Sequence, residues 1–292
     1  MGASWGWVAA AALAVSATFL YWDVGAKLIY DWGHDDNYSH GFLIVPLALY
    51  LAWERRDRLQ HAVRRPSLLG LVLIVGSIAA LVAGILGAEL FVSRISIVGL
   101  VAGAVLFIWG WNHIRVLAFP IGVLLLMIPI PAIIFNQIAF PLQLLASRFG
   151  EAALQAWNVP VLREGNVIVL ANTTLEVAEA CSGIRSLISL LTLAIVYGYF
   201  ADSRVSVRLL LAIATVPIAI ATNGLRVAGT GIAAHYYGAK AAEGFFHTFS
   251  GWLMFVIAFA MLFAVMQLIS RIIPRRRNPL DRTDTPPQRQ FA

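Results

Sequence analysis

Charge is what this chain has least of. Only 12% of its 292 residues are Asp, Glu, Lys or Arg, while 60% are hydrophobic. A soluble domain is about a quarter charged, so an ordinary water-soluble globule is excluded. Several uncharged apolar runs reach the ~20 residues a helix needs to cross a bilayer. Cysteine is scarcer still: the one present, Cys181, excludes an internal disulfide and any metal site built from several thiolates. No Lys or Arg precedes Lys27. The apolar N-terminus therefore lacks the basic stretch of a cleaved signal peptide, and residues 5–22 read as a retained first span. The net charge of +6 invites a nucleic-acid reading. The basic residues lie beside apolar segments, however, as in membrane proteins, so the expected partner is the lipid bilayer and no nucleic acid.

What is present is helix-forming apolar sequence, because backbone in a bilayer must bond within its own segment. The expected fold is all-α, a polytopic bundle of about eight spans at 5–22, 40–53, 67–87, 95–111, 116–134, 181–200, 208–226 and 249–271. Pro120, Pro129 and Pro131 predict a kink or an early end in the fifth. Alternating loops place 14 of the 21 basic residues and only 5 of the 15 acidic ones on one side. That asymmetry puts this side and both termini in the cytoplasm. Residues 1–273 form the membrane domain, and the Arg- and Pro-rich tail 274–292 is expected to be disordered. The outer side then holds 23–39, 88–94, 135–180 and 227–248. Within it, 138–157 reads as an amphipathic helix lying on the membrane, with Arg148 and Glu151 polar. Residues 161–178 read as a short hairpin with strands at Val167–Leu170 and Leu175–Val177.

The charge count also brings three reactive groups to that outer face: Cys181, Arg226 and His247. Cys181 opens an apolar helix, whose N–H groups and dipole favour the thiolate. Arg185 follows one turn later on the same face. His247 could take the thiol proton and return it to a leaving amine. Arg226 could stabilise an oxyanion or hold a substrate carboxylate. Ser182 and Asn223 are further donors. Glu179 and Glu176 oppose a low thiol pKa and could instead orient His247 or grip substrate. Each group has a bland alternative: an inert helix-end Cys, a belt His, an Arg snorkelling to headgroups. Arg226 fits its alternative least well, since it lies against the positive-inside trend. His34, Asp35, Asp36 and His40 cluster on the same side. Their mixed spacing favours a solvated loop over a metal site, so no metal or cofactor is expected; His40 remains a candidate supporting or substrate-contacting residue. Gly229-Thr-Gly231 follows no strand and is discounted as a phosphate loop.

Glu179-Ala-Cys-Ser-Gly-Ile-Arg-Ser-Leu187, Pro217-Ile-Ala-Ile-Ala-Thr-Asn-Gly-Leu-Arg226 and His247-Thr-Phe-Ser-Gly-Trp252 resemble, in order, three signature blocks of the exosortase family. Asn37-Tyr-Ser-His-Gly41, Ile128-Pro-Ile-Pro131 and Pro141-Leu-Gln143 resemble further landmarks, so the likeness runs from about residue 30 to 270. Exosortases are bacterial membrane cysteine transpeptidases, and archaeosortases share their triad. The resemblance implies Cys181 as nucleophile with Arg226 and His247 as partners. It implies substrates anchored by a C-terminal sorting signal: Pro-Glu-Pro, an apolar span and a short Arg-rich tail. It also implies cleavage at the periplasmic face of the inner membrane and transfer to an acceptor, often alongside exopolysaccharide production. Two competing functions are a transporter or flippase, which needs polar residues lining a mid-bilayer path, and a non-catalytic subunit of a polysaccharide export system. The spans are almost free of mid-helix charge, which argues against the first.

Overall fold

A computed structural model describes residues 8, 11–12, 15–171, 174–176, 184–238 and 245–272, with backbone alone at 175–176 and 245–248. It divides into two units, Met1–Gln143 and Leu144–Ala292. Among the described residues, strand is confined to one small sheet.

In the first unit, residues 15–20 are helical and Trp22–His34 forms α1. Sequence alone made 23–39 a loop, because Asp23, Lys27 and Asp31 interrupt the apolar run. They recur at every fourth position, as do the buried Val24, Leu28 and Trp32. The segment is an amphipathic helix. Helix α2, Gly41–Glu54, has 14 residues, or about 21 Å, too short to cross a ~30 Å core by itself. A short α3, Arg56–His61, follows.

Leu68–Leu86 (α4) and Leu90–Ile108 (α5) form a tight antiparallel hairpin. Small residues let the two backbones approach. A Cβ added at Gly70 would come within 2.2 Å of the Phe107 nitrogen, and one at Gly84 within 2.3 Å of Ser93 Oγ. This is how membrane helices pack where no hydrophobic force separates helix from lipid.

Helix α6 (Trp111–Val123) continues as a 3-10 turn, Leu124–Met127. The chain then breaks at Ile128–Pro131 and restarts as α7, Ala132–Ala156, bent by 79° from the preceding helix. The break predicted from Pro120, Pro129 and Pro131 falls at the last two, while Pro120 lies inside α6; α7 covers all but the last residue of the 138–157 segment expected to be an amphipathic helix.

In the second unit, Val161–Glu164 (β1), Val167–Leu170 (β2) and Thr174–Glu176 (β3) form an antiparallel sheet in the order β1-β2-β3. The expected hairpin is β2-β3. Strand β1 is additional: it joins β2 through Gly165-Asn166, where Gly165 adopts φ +66°. Three helices complete the unit: Ile184–Ala201 (α8), Val205–Tyr237 (α9) and Phe245–Ile272 (α10). They share a core of Leu190 and Ala194, Val207, Leu211 and Ile218, and Ala258, Leu262, Met266 and Ile269. The C-terminal part of α9 packs elsewhere. Val227 and Ala234 join Ala146 and Leu154 of α7 and Ile168 and Leu170 of β2 in a second core.

Among the described residues, five helices are long and apolar enough to span a membrane, or six if the bent pair counts as one. The expected eight are not reached. Helix α2 is too short, and much of the 5–22 segment lies outside the described residues. The supposed end of a span at Arg226 is also corrected. Helix α9 runs on to Tyr237, 33 residues in all, about 50 Å, so most of the 227–248 loop is helix.

Candidate functional site

The described polar candidates of the second unit, Arg185, Asn223 and Arg226, lie on helices that pack together. Helices α8 and α10 run one way and α9 the other. The starts of α8 and α10 therefore lie beside the distal half of α9. Arg185 is the second residue of α8 and is half-buried. Asn223 is buried and Arg226 half-buried one turn later on α9, spaced to share a helix face.

Gly224 and Val227 fix the rotation of that face. A Cβ at Gly224 would meet Phe149 Cδ1 at 2.4 Å, and one at Gly150 would meet Val227 Cγ1 at 2.5 Å. Helix α9 is thus pressed against α7 through glycines on both sides of the contact. Arg226 is turned toward α10 instead. A Cβ at Gly251 would lie 3.7 Å from both Cζ and Nη2 of Arg226. The guanidinium rests on the one stretch of α10 backbone that has no side chain to exclude it.

Gly251 is four residues after His247 in the same helix, hence on the same face. The backbone brings the His247 turn and Arg226 together. The His247 side chain and all of Glu179, Cys181 and Ser182 lie outside the described residues, whereas Arg185, Asn223 and Arg226 fall at one end of the helix trio.

His40 belongs to the first unit and is engaged there. Its Nε2 donates to the Leu126 carbonyl at 3.1 Å. Trp32 Nε1 donates to the Met127 carbonyl at 2.9 Å, and the Ile130 N–H donates to Tyr38 Oη at 3.0 Å. The Asn37-Tyr-Ser-His-Gly41 turn thus clasps the segment that ends in Ile128-Pro-Ile-Pro131. Pro129 and Pro131 lack N–H groups and break the helix, and side chains from α1 and its turn occupy neighbouring backbone groups. Burial pushes the His40 imidazole below its ordinary value, which suits the neutral ring that donates from Nε2. Burial raises the Tyr38 phenol.

The neighbouring polar residues are similarly occupied. His34 Nδ1 lies 2.8 Å from the Tyr30 carbonyl, and Asp35 Oδ1 accepts from the Asn37 N–H at 2.9 Å. Among the described residues no three His, Cys, Asp or Glu side chains are grouped to hold a metal.

The family model for transmembrane exosortases matches residues 32–264, most of the chain, with His40, Cys181, Arg226 and His247 inside the match. The chain belongs to the transmembrane exosortase family. Exosortases are in general membrane cysteine transpeptidases acting on proteins with sorting signals, and the apolar helices of this one make it a multi-pass membrane protein. No curated protein and no solved structure matches it.

The residue missed in the sequence of this exosortase is Gly251. The Ser250-Gly251-Trp252 run was visible as part of a block, but a glycine inside an apolar helix gives no sign of which neighbour it admits. The signal was its spacing of one turn from His247. Gly229 and Gly231, discounted above as a phosphate loop, lie within α9. Gly231 packs at 2.9 Å from Leu154 by the same added-Cβ measure, while Gly229 faces open space. At Gly231 the glycine serves helix packing.

Proposed function

We propose that this exosortase is a cysteine protease and transpeptidase that cleaves the C-terminal Pro-Glu-Pro sorting signal of exported, membrane-anchored proteins. Cleavage occurs on the periplasmic face of a bacterial inner membrane, with both termini cytoplasmic. The observation that carries this reading is the seat of Arg226 on Gly251, one turn from His247. It supports the reading by setting Arg226 against the start of α10, whose backbone carries His247. Cys181 precedes Ile184, the first residue of α8, by three positions, and three residues of chain reach at most about 11 Å.

The chemistry follows from the groups. Cys181 sulfur, its proton passed to His247, attacks the scissile carbonyl carbon and forms a C–S bond. The negative charge on the carbonyl oxygen is met by Arg226. Collapse breaks the C–N bond, and His247 returns the proton to the departing amine, which leaves with the substrate's own membrane anchor. The remaining thioester is opened by an amine acceptor or by water, whose proton His247 accepts as the thiolate is released. Asn223 and Arg185 supply further donors at the same end, and Ser182 and Glu179 flank the nucleophile in sequence. His40, held on the Leu126 carbonyl, supports the fold around the proline break.

The membrane setting serves the reaction. A substrate held by one helix diffuses in two dimensions to a site at its own depth, and transfer leaves its apolar anchor behind in the bilayer. The orientation rests on the charge asymmetry, and the first unit is built the same way. The end that carries Arg55, Arg56, Arg58, Arg64, Arg65 and Arg115 is tied together by Arg55 Nη1 to the Val116 carbonyl and by Asn112 Nδ2 to the Val63 carbonyl. The opposite end carries Asp31, paired with Arg94, and Asp35.

The test is processing of a tagged Pro-Glu-Pro substrate co-expressed with wild type or Cys181→Ala. Cleavage by wild type alone is expected. Equal processing by both would overturn the assignment.

A further inference from the structure

The basic end of the first unit contains a cavity of about 370 Å³, within the range of small-ligand sites. Leu59, Trp109, His113 and Leu117 form its inner wall, and the exposed Arg56, Gln60 and Arg64 form its mouth.

The cavity is held open by backbone ties between distant segments. The Arg65 N–H donates to the Trp109 carbonyl at 3.1 Å, and the Ser67 N–H donates to the Leu106 carbonyl at 3.3 Å. Gly110, at φ +87°, brings the α5–α6 turn so close that an added Cβ would overlap the Arg65 carbonyl oxygen at 1.7 Å. The segment after α3 is therefore fixed over the start of α6, with the cavity between them.

Its lining has one chemical bias. Two arginines stand at the mouth and none of the lining residues is acidic. Asp57, 3.8 Å from Arg56 Nε, has a side chain 77% exposed to solvent. The Arg56 guanidinium stacks over the Trp53 ring, 4.3 Å from its centroid, which occupies its face and leaves N–H groups at its edge. His113 is buried and adds its ring to the wall. The depth is also marked: Trp53, under the Arg56 guanidinium, and Trp111, two residues before His113, are exposed, and Trp residues concentrate at headgroup level.

We propose that this cavity binds an anionic phospholipid. The phosphate would be held by Arg56 and Arg64, and the glycerol and upper acyl carbons would lie on Leu59, Trp109, Leu117 and the His113 ring. A basic pocket between membrane helices at the cytoplasmic surface suits such headgroups. Arginine matches phosphate oxygens with paired donors, and the apolar wall favours a lipid over a free anion. On the orientation proposed above, the lipid comes from the cytoplasmic leaflet. The site does not depend on the catalytic assignment.

The test uses the full chain, purified in detergent and titrated with short-chain phosphatidylglycerol, short-chain phosphatidylcholine or inorganic phosphate while thermal unfolding is followed. Phosphatidylglycerol is expected to bind about 10-fold or more tighter than the other two, and Arg56→Gln/Arg64→Gln to lose about 10-fold or more. Arg58→Gln, on the same short helix but outside the lining, keeps wild-type binding. The double variant serves if it melts as wild type without lipid; otherwise Arg56→Gln or Arg64→Gln alone takes its place. Equal binding of the two lipids, or unchanged binding by the double variant, would overturn the site. A full shift from inorganic phosphate alone would also overturn it, by making it a soluble-anion site.

Discussion

His40 and Arg226 look alike in the sequence: each is a basic residue near the end of an apolar segment and inside a family block. Their surroundings differ. His40 donates to a carbonyl that a proline break leaves available, and its turn holds that break together. Arg226 lies against a glycine on a neighbouring helix, one turn from His247. The first side chain repairs the backbone; for the second, the backbone has been shaped to make room. On the proposed reading, this difference goes with a structural role for one residue and a chemical role for the other, and it can be broken experimentally.

The largest effect is expected at Arg226. Replacement by Ala removes the charge proposed to meet the developing oxyanion and should lower the rate of substrate processing by about 100-fold or more. Arg226→Lys keeps the charge but not the planar fork, and should retain substrate association while losing most cleavage. If Arg226→Ala processes as wild type does, the contrast collapses.

Gly251 sharpens the comparison by size. An alanine there would place its Cβ 3.7 Å from the guanidinium, an ordinary contact, and should leave processing near wild type. Gly251→Leu must push the guanidinium aside. Its expected signature is a fall of about 10-fold or more in kcat with thermal stability little changed. Equal activity of the Ala and Leu variants would show that the seat does not matter.

Gly224→Ala separates packing from chemistry on the same helix. Its Cβ would press into the Phe149 ring, and overpacking of this kind costs about 1–3 kcal/mol. The result should be a lower melting temperature with activity per folded molecule retained.

His40 should show the smallest effect on processing. Its folded pKa is held below the ordinary 6.5 by burial. The unfolded chain therefore binds the proton more readily in that window. Stability is fully present above about pH 6.5 and is lost as pH falls through that value toward the folded pKa. His40→Gln should abolish this acid-side loss while processing persists at neutral pH. Melting curves across pH 5 to 7.5, roughly the range over which histidine titrates, would check it. A processing defect in His40→Gln as large as that of Arg226→Ala would place His40 in the chemistry after all.

How much of this was legible beforehand depended on which signal an element carries. Apolar runs gave α4, α8 and α10 to within a few residues, because a bilayer imposes length and composition together. Helix α1 was hidden: its three charged residues interrupt the run, and only their four-residue period betrays the buried stripe of Val24, Leu28 and Trp32. Strand β1 was hidden although Gly165-Asn166 is a two-residue hairpin signal, because Arg163 and Glu164 leave it without the apolar run of Val167–Leu170. The far end of α9 was misplaced because small and polar residues after Arg226 look like a loop to a hydropathy reading. They are instead a close-packed helix face, with Gly231 on Leu154 and Val227 on Gly150. The family blocks were legible outright. The partnership of Arg226 with Gly251 was not, since residues 25 positions apart in sequence meet only through the packing of α9 on α10.

The central claim is that Cys181 carries the acyl intermediate, and because the chain has no second cysteine, a thioester has only one place to form. The most direct measurement is the intact mass of the purified protein after incubation with a Pro-Glu-Pro substrate, before and after hydroxylamine. The account predicts an adduct equal to the substrate without its anchoring tail, absent in Cys181→Ala and released by hydroxylamine. Substrate turnover by the Cys181→Ala protein, or a hydroxylamine-resistant adduct elsewhere in the chain, would contradict it.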